Sequence, residues 1–154
     1  MAELKPGSKA PDFTLLTDSG AKLKLSSLAG KTVVLYFYPK ADTPGCTKEA
    51  CTFGELFPKF EGLGAVILGV SPDPVKSIAK FKQKYKLPFT LLADEEHAVA
   101  EKYGVWVEKS MYGKTYMGME RSTFVIGKDG KISHVFRKVK PEAHPAEVLA
   151  ALKG

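Results

Sequence analysis

The chain has 154 residues, 44% of them hydrophobic and 26% charged, and a net charge of +6. That is the size and composition of one soluble domain spanning residues 1–154, large enough to fold around its core without disulfide staples. No apolar run approaches the ~20 residues of a membrane span, the N-terminus lacks the apolar stretch of a secretion signal, and the lysines are scattered with no aromatic-interleaved basic stripe; these features speak against a membrane or nucleic-acid role and for a cytoplasmic protein.

Phe13–Leu16 and Lys22–Leu25 flank Asp18-Ser19-Gly20, a turn signal, and are predicted to pair as a hairpin. Ser26–Gly30 reads as a short helical turn ending at glycine. Thr32–Tyr38 is an unbroken apolar run, the pattern of a central strand buried on both faces. A helix is predicted from about Thr43 to Phe60, with Phe53, Leu56, Phe57 and Phe60 on its buried face, and Pro58 is expected to kink or stop it. Ala65–Val70 is a second buried strand. Asp73 is expected to cap a helix that has Pro74 in its first position and reaches about Tyr85. Phe89–Leu92 is a third strand, and Asp94 is expected to cap a helix from Glu95 to Tyr103, stopped by Gly104. Thr123–Ile126 and Lys131–Phe136 surround Asp129-Gly130, a strong hairpin signal, and His144-Pro145 opens a last helix to about Lys153. Strand–helix–strand units followed by a hairpin and a terminal helix give an α/β sandwich, with a central mixed sheet, helices on both faces and an N-terminal hairpin.

Cys46 and Cys51 are the only two cysteines, and they sit where the central strand hands over to a helix. In a reducing compartment such a pair points to catalysis or metal binding. His97, His134 and His144 are scattered away from the cysteines in sequence, so a zinc site is not expected. Cys46 follows Thr43-Pro44-Gly45, a helix-opening sequence. There the positive end of the helix dipole favours a thiolate, the reactive form of cysteine. Thr43 can offer its hydroxyl to the sulfur or to a substrate oxygen, and Pro39 ends the strand and shields the pocket. The plainer alternative for Cys46 is a small buried apolar residue.

Cys51 lies five residues further on, an offset of about 7.5 Å of rise and about 140° of rotation in a helix. A disulfide needs Cα atoms about 4.4–6.8 Å apart. Either the two never pair, or the first turns of the helix unwind for the bond to form; the Thr-Pro-Gly start favours unwinding. A Cys-x-x-x-x-Cys spacing is not the Cys-x-x-Cys of a disulfide exchanger. Oxidation of one thiol to a sulfenic acid, followed by attack of the other, fits it better.

The segment Pro39-x-x-x-Thr43-x-x-Cys46 resembles the peroxidatic signature of the peroxiredoxins. The longer string Tyr38-Pro-Lys-Ala-Asp-Thr-Pro-Gly-Cys-Thr-Lys-Glu-Ala-Cys51 is similar to that of the peroxiredoxin Q subgroup, also called bacterioferritin comigratory protein. The likeness extends to Gly7-Ser-Lys-Ala-Pro-Asp-Phe-Thr14 and to Gly118-Met-Glu-Arg121-Ser-Thr-Phe-Val125, and so covers nearly the whole chain. It implies a thioredoxin-like fold and thiol-dependent reduction of hydrogen peroxide and organic hydroperoxides, with no metal, haem or nucleotide cofactor. By position it makes Cys46 the peroxidatic nucleophile and Cys51 the resolving cysteine, with recycling by thioredoxin or a similar dithiol. It makes Thr43 a hydrogen-bond partner of the peroxide, Pro39 a screen for the thiolate and Arg121 the family arginine. The subgroup resemblance suggests a monomer or a weak dimer, and a monomer is expected.

Glu49 falls within the subgroup string, although a solvent-facing helix glutamate is the plainer reading. Trp106, Met111, Met117 and Met119 precede Arg121 and could line a pocket or a partner surface, with ordinary packing the plainer alternative. Two other functions compete with the peroxidase: a thioredoxin-like disulfide oxidoreductase and a redox-sensing binding module.

Overall fold

The structure, a computed structural model, describes residues 4–153, apart from the side chain of Met111. In chain order its elements are β1 (Thr14–Thr17), β2 (Lys22–Lys24), a 3-10 turn (Leu25–Leu28), β3 (Thr32–Phe37), α1 (Pro44–Gly62), β4 (Ala65–Ser71), α2 (Val75–Tyr85), β5 (Thr90–Ala93), α3 (Ala98–Lys102), β6 (Trp106–Met111), β7 (Lys114–Met119), β8 (Ser122–Ile126), β9 (Ile132–Phe136) and α4 (His144–Lys153). Among the described residues, seven strands form one sheet in the order β2-β1-β5-β4-β3-β8-β9, and β6 with β7 forms a separate ribbon.

The centre of the sheet is parallel, β3 with β4 and β4 with β5, and its flanks are antiparallel. This is the mixed sheet expected from the sequence. The apolar run of β3 is covered on both sides. Val34, Tyr36 and Tyr38 face a cluster that includes Phe53 and Phe60 of α1, Ile78 and Phe81 of α2 and Val148 of α4. Val33, Leu35 and Phe37 face a second cluster, with Val99 and Ala100 of α3. Gly69 of β4 makes room for this arrangement: a Cβ there would lie 2.8 Å from the Tyr36 ring and 2.9 Å from Leu91. The Tyr36 ring stacks on Tyr38 at 5.4 Å and on Phe53 at 4.7 Å, which ties α1 to the sheet. Aromatic pairs of this kind add about 0.5–1.5 kcal/mol beyond the area they bury.

Three expectations are corrected. Pro58 does not stop helix α1, which continues through it to Gly62. Pro58 faces solvent, while Phe60 is fully buried, so packing of the last turn outweighs the lost backbone bond. Asp73 does not cap α2: its Oδ2 accepts from the Ala41 amide at 2.7 Å, and Pro74 takes the N-cap position in extended backbone. Helix α3 begins at Ala98, three residues later than expected, because His97 adopts φ +51°. Asp94 still serves that helix, accepting from the Val99 and Ala100 amides at 3.2 and 2.8 Å.

The β6–β7 ribbon has no counterpart in the sequence-derived elements. Its two-residue turn, Tyr112-Gly113, has φ of +53° and +78°, the pattern of a tight hairpin turn with left-handed residues at both positions.

Candidate active site

Strand β3 delivers the chain to the carboxyl end of the sheet, where open α/β sheets place their sites. The Tyr38 amide still donates to the Val70 carbonyl at 2.9 Å, and the chain then leaves through half-buried Pro39. Thr43 is the N-cap of α1, with φ −91° and ψ 156°. Its hydroxyl donates to the Lys40 carbonyl at 2.8 Å. Pro44 follows at the first helical position, where a missing amide donor costs nothing. Cys46 therefore lies in the first turn, among backbone amides with no intrahelical acceptor and at the positive end of the helix dipole. Its side chain is buried, with 1% of the residue exposed.

Antiparallel pairing of β3 with β8 sets Ser122 opposite Phe37. Arg121, the residue before β8, is thus brought to the end of the sheet from which α1 starts. Its Nη2 donates to Cys46 Sγ at 3.3 Å, and its Nη1 donates to Glu49 Oε1 at 2.8 Å. Gly45 permits this closeness: a Cβ there would lie 3.1 Å from Arg121 Nη2. A sulfur, a guanidinium and a carboxylate are joined in one line. Cys46 and Arg121 come together, and Glu49 completes the group.

Glu49 is the residue the sequence undervalues. It is fully buried and does not face solvent. The signal was its place on the apolar stripe of α1, three residues after Cys46 and four before Phe53. Burial pushes its pKa up to about 7, against the pull of Arg121. Its second oxygen, Oε2, has no hydrogen-bond partner among the described residues. Arg121 loses some solvation on burial, but Glu49 and Cys46 outweigh that and hold its pKa above the ordinary arginine value. The guanidinium is therefore a fixed positive charge against the sulfur.

Glu49 gives the fold a definite pH dependence. Its folded pKa of about 7 lies above its ordinary 4.5, so the native state holds a proton that the unfolded chain releases between those values. Its contribution to stability is full below pH 4.5 and is lost as pH rises toward 7. By linkage the loss is about 3 kcal/mol. His144 acts in the opposite sense: burial lowers its pKa, so its contribution is lost as pH falls below its ordinary 6.5. Urea unfolding of the native protein and of Glu49→Gln at pH 5 to 8 separates the two. The gap between native and variant should shift against the native protein by up to about 3 kcal/mol over that range. Parallel curves would remove Glu49 as the titrating group.

The other candidates stand further off. Cys51 is half-buried on the same uninterrupted helix, and both cysteines are free thiols. Five helical residues put their Cα atoms about 8–9 Å apart, beyond the reach of a disulfide. Burial, with Glu55 nearby, raises the Cys51 pKa. Trp106 is packed against the core and stacks on His97 at 4.0 Å, and Met119 is buried. Both are packing residues. Met117 is 51% exposed. The side chain of Met111 lies outside the described residues.

Residues 6–135 match the model of the AhpC/TSA family. The chain is 54% identical over 149 residues to a protein of Coxiella burnetii named putative peroxiredoxin bcp, covering 97% of this chain and 99% of that one. It is 54% identical over 147 residues to peroxiredoxin Bcp of Bacillus subtilis, covering 96% and 94%. Among solved structures it superposes on peroxiredoxin Q of Xanthomonas campestris with a TM-score of 0.87 and 45% identity, over 92% of this chain and 89% of that one. For a PrxQ mutant from Xylella fastidiosa the TM-score is 0.93 at 36% identity, over 99% and 98%. These neighbours share the thioredoxin fold expected from the sequence. With an arginine-bound thiol at a helix start and a match of this extent, the chain belongs to the AhpC/TSA family, in its peroxiredoxin Bcp or Q branch.

Proposed function

We propose that Cys46 is the nucleophile of a thiol-dependent peroxidase, with Arg121 and Thr43 positioning the peroxide and Cys51 resolving the oxidised sulfur. The observation that carries this reading is the Arg121 guanidinium, donating at once to the Cys46 sulfur and to buried Glu49. A positive donor fixed at the sulfur is placed to stabilise negative charge on it during attack. The thiolate attacks the terminal oxygen of the hydroperoxide: an S–O bond forms, the O–O bond breaks and the leaving alkoxide or hydroxide takes up a proton. The products are the Cys46 sulfenic acid and an alcohol or water.

Arg121 carries five N–H donors in a rigid fork, enough to serve Glu49, the sulfur and an incoming oxygen together. Thr43 spends its proton on Lys40, so its oxygen acts as an acceptor and would receive the O–H of the peroxide. Pro39, half-buried at the strand end, would keep water from the sulfur.

The Cys51 thiol then displaces water from the sulfenic acid and forms the Cys46–Cys51 disulfide, which requires the start of α1 to unwind. The raised pKa of Cys51 suits this order: its thiol stays protonated, and a poor nucleophile, while the helix is intact. A dithiol protein of the thioredoxin kind reduces the disulfide. The solved structures include a bacterioferritin comigratory protein of Xanthomonas campestris described as having alkyl peroxide reduction activity, and it is 44% identical to this chain. That supports organic hydroperoxides as substrates here. A cytoplasmic monomer is part of the same proposal. Among the described residues no helix is long and apolar enough to cross a membrane.

The test is peroxide consumption with thioredoxin as donor. Cys51→Ser should form the sulfenic acid as fast as the native protein, and thioredoxin-driven turnover should fall by about a hundredfold or more. Full turnover of that variant would exclude Cys51 as the resolving residue.

A further inference from the structure

We propose that Asp42 is a latch: held by Tyr85 and Lys84 of α2, it keeps the start of α1 wound and so governs how readily Cys46 is released toward Cys51. The inference rests on the cysteine roles proposed above and adds the element that controls the second step.

The contacts are specific. Tyr85 Oη donates to Asp42 Oδ1 at 2.6 Å, and Lys84 Nζ donates to Asp42 Oδ2 at 2.9 Å. One residue earlier, the Ala41 amide donates to Asp73 Oδ2 at 2.7 Å. Helix α2 and the turn before it thus grip the chain immediately ahead of the N-cap Thr43. The post is firm, because Ile78 and Phe81 anchor α2 in the core and the Tyr85 ring packs edge-on against Phe81 at 5.5 Å.

Besides this grip, the stretch has the packing of Ala41 on the core and the bond from the Thr43 hydroxyl to the Lys40 carbonyl. Pro44 is exposed, and Thr43 and Gly45 are only half-buried. Asp42 itself has φ +60°, a conformation that aspartate tolerates but that surrounding contacts must maintain. Both ends of the ion pair show the attachment: Tyr85 and Lys84 lower the Asp42 pKa, and Asp42 raises that of Lys84. To bring Cys46 within disulfide range of Cys51, the helical turn that starts at Cys46 has to unwind, and the segment from Asp42 to Gly45 ahead of it has to move with it. Loss of the two side-chain bonds and relaxation of the left-handed residue are the local events that permit it.

The test removes the donors and leaves the loop sequence untouched. Tyr85→Phe combined with Lys84→Met keeps the ring against Phe81. In the reduced protein, amide exchange at residues 43–48 should quicken about three- to tenfold while β3 and β8 stay unchanged. After one equivalent of peroxide, disulfide formation should accelerate by a similar factor. In a Cys51→Ser background the initial oxidation of Cys46 should change less than about twofold. Asp42→Gly, which keeps the left-handed backbone without the carboxylate, should reproduce the effect. Unaltered exchange at residues 43–48 overturns the latch. Faster exchange with an unaltered disulfide rate overturns its control of the second step. Native protein that forms no Cys46–Cys51 disulfide would instead count against the cysteine roles, and the exchange measurement would still decide the latch.

Discussion

Cys46→Ser is expected to abolish peroxide consumption, with a loss of about a thousandfold or more. Serine keeps the size of the side chain and an acceptor for Arg121 Nη2, so the fold and the ion pair with Glu49 should persist. What disappears is a polarisable sulfur that can accept oxygen from a peroxide. Stopped-flow oxidation and steady-state turnover with a dithiol donor measure the loss. An unchanged melting temperature would show that it is chemical rather than structural. Activity above a few per cent of native would mean that another group attacks the peroxide.

The second large effect is expected at Arg121. Arg121→Met removes the donor at 3.3 Å from the sulfur and the only charge paired with Glu49 among the described residues. Loss of one preorganised donor at a reacting centre costs about a hundred- to a thousandfold in rate. The same change leaves a buried carboxylate without its counter-charge, which costs about 3–5 kcal/mol unless the group protonates. Glu49 already titrates near neutrality, so protonation will cap the cost, and the variant should be more stable at pH 5 than at pH 8. Adding Glu49→Leu should restore stability at pH 8 but leave the rate low. If the double variant also recovers the rate, Arg121 acts only by neutralising Glu49 and not on the peroxide or the sulfur.

The parts of the fold with strong local signals were legible in the sequence. The apolar run of β3 needs two covered faces wherever it sits. Asp129-Gly130 dictates a hairpin, and Thr43-Pro-Gly opens a helix by backbone geometry alone. The β6–β7 ribbon was hidden because most of both strands lies outside the core, so burial imposes no alternation on them. The helix starts after Asp73 and Asp94 were misplaced for a common reason. Each carboxylate has a tertiary or delayed backbone partner, and nothing in the local sequence reveals it.

The site divides in the same way. Cys46 and its helix start come from the motif itself. The Glu49–Arg121 pairing links positions 72 residues apart and depends on the antiparallel fit of β8 to β3. Spacing on the helix could have flagged Glu49 as enclosed; only the sheet topology supplies its partner.

The aromatic stack around Phe53 sets a boundary. Phe53 lies about two turns beyond Cys46, enclosed by Tyr36, Phe60 and Phe89 at 4.7, 5.8 and 6.4 Å between ring centres. Under the proposed mechanism, fraying that begins at the tip of α1 would run into this knot and halt. Redox cycling would then be quarantined to a short stretch of chain. Each turnover would ask for a local mend instead of a complete refolding, and the oxidised protein would present little greasy surface on which other chains could clump.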